Sequence, residues 1–163
     1  MSAVESWTRR VGAAVAMLVL AGVPGVGAAE PEVVAALAGS WGGSGRITYT
    51  DGSSEGINCS AYYTGAGNEL RMAIQCRSDK NPIHIRSRLR IDGKRATGDW
   101  EERTFNASGT ASGTAGGGSL SLSVSGGAFS GTMQVSYSKS SHSVTISTKG
   151  IAMSRATMQM SRR

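Results

Sequence analysis

From Trp41 to the C-terminus, apolar side chains recur at every second position, and turn-forming residues interrupt them about every ten positions. Period two marks strands with one buried face. Turns this frequent leave no room for crossover helices, so sequence neighbours are expected to pair antiparallel. Ten segments follow the pattern: 41–50, 54–64, 69–77, 82–91, 94–104, 107–115, 119–125, 128–138, 142–148 and 155–161. The expected fold is all-β, an antiparallel up-and-down meander of about 8–10 strands closing into a barrel. Pro31–Ala38 is the helical candidate after the N-terminal segment: proline and Glu32 suit its start and Gly39 its stop. Two turns cannot stand alone, so this helix should cap or plug the sheet.

The N-terminus reads as an export signal. Arg9 and Arg10 precede an uncharged run, Val11 to Val23, and Val26-Gly27-Ala28-Ala29 supplies small residues for cleavage. Gly12, Gly22 and Pro24 interrupt the run, which argues against a membrane anchor. The expected organisation is a signal peptide over 1–29, a helical cap over 30–40 and a barrel over 41–163, in a periplasmic or secreted protein without stable membrane insertion.

Cys59 and Cys76 both lie in the mature part, where an even count in an oxidising compartment favours a disulfide. Strand parity agrees. The apolar set of 54–64 is odd (Ile57, Cys59, Ala61, Tyr63), and that of 69–77 is even (Leu70, Met72, Ile74, Cys76). Opposing Cys59 to Cys76 pairs Ala61 with Ile74 and Tyr63 with Met72, all on one face. A one-residue slip would separate the two sets.

Two further hairpins can be placed. Ile83 to Ile91 alternates without a fault and is followed by Asp92-Gly93, a two-residue turn signal. That turn opposes Ile85 to Trp100, Ser87 to Gly98 and Leu89 to Ala96 inside, with His84–Glu101, Arg86–Asp99 and Arg90–Arg95 outside. At the first hairpin, parity requires a three-residue loop, Asp51-Gly52-Ser53, which opposes Ile47 to Ile57 and includes a bulge.

The mature chain carries 15 basic and 10 acidic side chains. Arg86, Arg88, Arg90 and Arg95 form a basic stripe, a surface for an anionic envelope component or a protein partner. The plainer reading is a solvated face partly neutralised by Asp99 and Glu101. The basic residues form no tail, and nucleic acid is not an expected partner. No catalytic or metal-binding constellation stands out. His84 beside Glu101 reads as a surface pair, no serine occupies a G-x-S-x-G elbow, and Met153, Met158 and Met160 read as packing. No cofactor is implied.

Inward positions carry many small residues. Gly98, Gly109, Ala111 and Gly113, with Trp41, Met72 and Trp100, are the candidate lining of an interior cavity. Whether such volume is open or filled by the helix is undecided at this level.

Leu37-Ala38-Gly39-Ser40-Trp41 follows the short helix and opens the first strand. This resembles the G-x-W entry of the calycin superfamily, which includes lipocalins and fatty-acid-binding proteins. The resemblance implies a barrel whose Trp41 closes one end beneath the helix. The lipocalin T-D-Y motif is absent, and no residue is matched to the later lipocalin arginine. The chain is also similar to small exported proteins of alphaproteobacteria whose mature part begins L-A-G-S-W. The expectation is a non-enzymatic barrel that binds a small amphipathic molecule or an envelope component. The alternative is a protein-binding module, an enzyme inhibitor or assembly factor, that acts through its basic outer face or loops.

Overall fold

A computed structural model of the protein describes residues 31–80 and 82–163. The proposed signal segment over 1–29 lies outside them. One helix, α1 (Glu32–Leu37), precedes ten strands: β1 (Gly39–Tyr49), β2 (Ser54–Ala66), β3 (Glu69–Arg77), β4 (Pro82–Asp92), β5 (Arg95–Glu102), β6 (Ala107–Gly116), β7 (Ser119–Gly126), β8 (Phe129–Tyr137), β9 (Ser141–Lys149) and β10 (Met153–Arg162). Each strand pairs antiparallel with its sequence neighbours, and β1 pairs with β10 to close the barrel. Closure leaves no strand edge exposed.

The β2–β3 register is the expected one. Cys59 opposes Cys76, Ala61 opposes Ile74 and Tyr63 opposes Met72. The two cysteines form a disulfide, their Cα atoms 4.1 Å apart, and the Met158 sulfur packs on both of theirs at 3.5 and 3.7 Å.

Two other registers correct the sequence expectation, each by two residues. At the β4–β5 turn, Asp92 opposes Arg95, so Gly93-Lys94 makes the turn rather than Asp92-Gly93. Gly93 takes φ +61° at the first central position, as a II′ turn requires. Ile85 therefore faces Glu102 instead of Trp100, Ser87 faces Trp100 instead of Gly98, and Leu89 faces Gly98 instead of Ala96. At the first hairpin the loop has three residues as expected, but they are Thr50-Asp51-Gly52: the Tyr49 N–H donates to the Ser53 carbonyl at 2.9 Å. Gly52 takes the left-handed conformation, φ +83°, that the loop needs. Ile47 then faces Glu55, and Gly45 faces Ile57. A shift of two preserves every residue's face, so the inside and outside sets remain as read from the sequence.

The barrel has two unlike halves. At one end α1 lies over the opening with Val33, Val34 and Leu37 buried. Beneath it Trp41 is fully buried, and its indole N–H donates to the Leu37 carbonyl at 2.8 Å. Arg162, to which the sequence assigned no role, lies over the Trp41 ring, 4.3 Å from its centroid. Its guanidinium donates to the Ala36, Ala38 and Lys139 carbonyls at 2.7–2.9 Å. The bonds to Ala36 and Ala38 satisfy carbonyls that the end of α1 leaves unpaired. Leu70, Ile91, Leu120 and Met160 are buried as well.

Candidate ligand cavity

The other half of the barrel is hollow. A cavity of about 510 Å³ runs from mid-barrel to the end opposite α1. Its walls come from inward positions: Met72 and Ile74 on β3, Ile83, Ile85, Ser87 and Leu89 on β4, Trp100 on β5, Ala111 on β6, Leu122 and Val124 on β7, and Phe129, Met133 and Ile146 beyond. Phe105, Ile151, Ala152, Met153 and Tyr49 form the rim. Phe105 and Ile151 are 62% and 42% exposed. Trp100 packs edge-on against Phe129, ring centroids 5.2 Å apart.

Of the residues singled out from sequence as cavity lining, Met72, Trp100 and Ala111 surround this space. Trp41 does not: it belongs to the closed end, under α1. Gly98, Gly109 and Gly113 do not line it either. A Cβ at these positions would stand 1.8–1.9 Å from a carbonyl oxygen of the next strand, belonging to Arg88, Ser125 and Ser121 respectively. These glycines admit a neighbouring backbone at a sharply coiled position rather than leave volume. Sequence reading missed Phe105, Ile151 and Ala152, which lie in loops where alternation gives no signal.

Few polar groups reach the cavity. Glu102, of inward parity, sits at the strand end, and its carboxylate oxygens accept the backbone N–H groups of His84 and Phe105 at 2.8 and 2.7 Å. Tyr49 donates its hydroxyl to Glu55, and this bond, with burial second, pushes the Tyr49 hydroxyl up to about 12. Midway along the barrel, Ser87 and Trp100 oppose one another on adjacent strands. The Ser87 Oγ and the Trp100 Nε1 are buried without a hydrogen-bond partner among the described residues. Such groups are uncommon in folded proteins and call for an explanation.

The basic stripe lies outside, as alternation requires, and the register correction changes its neighbours. Arg86 faces Glu101, Arg88 faces Asp99 and Arg95 faces Asp92. Arg88 is 3.7 Å from Glu69, and Arg90 is 3.5 Å from Asp92. Arg88, Arg90 and Arg95 thus each have an acidic neighbour. The expected His84–Glu101 pair is replaced by Arg86–Glu101, because the turn sits one residue later.

Beneath α1, His142 is buried between the Trp41 ring, edge-on with centroids 4.5 Å apart, and the Tyr63 hydroxyl, 3.4 Å from its Nε2. Its Nδ1 has no partner. Burial, and after it the Arg162 charge, pushes the imidazole down to about 4. Among the described residues, no group of three or more His, Cys, Asp or Glu side chains could hold a metal ion, and no helix is long and apolar enough to cross a membrane.

No protein-family model matches the chain, and no curated protein matches it. Solved structures do match. Rv2717c from M. tuberculosis aligns with a TM-score of 0.68 at 14% identity, over 80% of this chain and 95% of that one. The S-type phycobiliprotein lyase CPES from Guillardia theta aligns with a TM-score of 0.57 at 15% identity, over 81% and 90%. At such identities the likeness shows the fold alone, a closed antiparallel barrel.

Proposed function

We propose that this protein is an exported, non-enzymatic barrel that binds one small, largely apolar molecule in the half of its interior left open by α1. The observation that carries the reading is the cavity itself: about 510 Å³, walled by aliphatic and aromatic side chains and open at one end. This volume lies within the roughly 300–1,000 Å³ of small-molecule sites. The disulfide between Cys59 and Cys76 supports an oxidising compartment. One structural neighbour is named as a lyase, but of the serine hydroxyls lining this cavity, that of Ser87 has no base hydrogen-bonded to it among the described residues. A serine nucleophile needs such a base for activation. Acidic residues beside the arginines weaken the alternative of a basic docking face.

Native mass spectrometry of the protein purified from its own envelope tests this. A co-purifying small molecule at one per chain is the expected result. A stoichiometric protein partner with an empty barrel would overturn it.

A further inference from the structure

The geometry points to the class of molecule that the cavity takes: an uncharged amphiphile whose buried polar group is a hydrogen-bond-accepting oxygen, held by Trp100 and Ser87. This inference rests on the proposed binding function. An apolar interior alone would accept any greasy molecule of suitable size. Here Ser87 and Trp100 break the apolar lining at mid-barrel, away from the polar groups of Tyr49, Ser78 and Glu102 toward the open end. The indole N–H is a donor only, and the hydroxyl is a donor and an acceptor. Neither has a partner among the described residues, and they stand directly opposite on β5 and β4. Burying them unpaired is costly, and a carbonyl, ester or hydroxyl oxygen placed between them removes that cost for both.

The charge of the ligand follows from what surrounds the pair. Among the described residues no lysine, arginine or histidine lines the cavity; Arg71, Arg86 and Arg88, which share an outer pocket with Ser87 and Trp100, occupy exposed positions of outward parity. Arg86, Arg88 and Arg90 stand on outward positions of β4, so none faces Ser87 from inside. At the rim the inward-parity ionisable groups are carboxylates: Glu102 lines the opening, and Glu55 receives the Tyr49 hydroxyl. Lys80 is placed over the Tyr49 ring, 4.5 Å from its centroid, and is not part of the lining. A carboxylate drawn in to the Ser87–Trp100 pair would lose its hydration with no cation to replace it. A neutral oxygen loses far less. The cavity should therefore prefer a ketone or ester to the fatty acid of equal length, although both share the same hydrocarbon.

The test is displacement of N-phenyl-1-naphthylamine, a neutral dye whose emission rises in apolar sites, from the full chain. The competitors are 2-tridecanone and dodecanoate at about pH 8, where the acid is ionised. The expected result is that the ketone displaces the dye at a concentration at least about 10-fold below that of dodecanoate. Ser87→Ala and Trp100→Phe should each weaken the ketone by roughly 3- to 10-fold relative to dodecanoate measured on the same variant. If Trp100→Phe fails to fold, Ser87→Ala decides alone. Equal affinity for ketone and dodecanoate, or ketone affinity relative to dodecanoate unmoved by Ser87→Ala, would overturn the inference while leaving the binding function intact. No dye uptake at all would overturn the binding function with it.

Discussion

Ser87 and Trp100 face each other across β4 and β5, each with a buried polar atom that meets no partner among the described residues. They belong to a row that crosses the sheet in register, Tyr63–Met72–Ser87–Trp100–Gly109. A fold selected only for stability would fill such positions with apolar side chains. On the proposed reading, the oxygen of an occupant would pair both groups. The cost should be measurable in the empty protein. Ser87→Ala is expected to raise the stability of ligand-free protein by up to about 1 kcal/mol in urea unfolding, because it removes an unsatisfied hydroxyl. A loss of stability would mean that the hydroxyl is structural.

The disulfide closes a 17-residue separation within one hairpin. Replacing both cysteines by serine is expected to cost on the order of 3 kcal/mol through the entropy of the unfolded chain. Urea midpoints of the double variant and of the reduced wild type should fall together. An unchanged midpoint would show that the β2–β3 pairing holds itself.

His142 couples stability to pH. Its folded value lies near 4, below the ordinary 6.5, so between these two values the unfolded chain binds the extra proton. Stability is then lost as pH falls through that window and is fully present above it. The loss reaches up to about 3 kcal/mol near the lower end. His142→Leu, close in size and uncharged, should flatten this part of the profile, as read by urea unfolding at several pH values. Parallel profiles for wild type and variant would remove His142 as the cause.

Exposed ion pairs contribute little. Arg88→Ser with Arg90→Ser is expected to change stability by less than about 0.5 kcal/mol, despite the nearby Glu69 and Asp92. A larger loss would give the stripe a structural role.

The ten strands were legible in the sequence because alternation is a direct consequence of having an inside and an outside. The Cys59–Cys76 register was legible for the same reason, since two parities and one covalent bond agree on it. Turn placement was not. Asp92-Gly93 and Gly93-Lys94 both put Gly93 where its positive φ is useful, and both keep Ile85, Ser87 and Leu89 inward. Parity cannot choose between them, and the partners of Ser87 and Arg88 depended on that choice. The cavity was only half legible. Small inward residues suggested empty space, but Gly98, Gly109 and Gly113 accommodate neighbouring backbone. The hollow lies where α1 does not reach, among side chains as large as Met72, Trp100 and Phe129. His142 could have been found, because it shares the parity of Val144 and Ile146 on β9.

The most direct test of the central claim is a fluorescence titration of the protein with N-phenyl-1-naphthylamine, alongside Ala111→Phe, which places a ring in the hollow half of the barrel. Saturable uptake of one dye per chain, abolished or weakened at least about 10-fold by Ala111→Phe while cooperative unfolding is retained, is the predicted result. Absence of uptake, or uptake unaffected by filling the cavity, would contradict it.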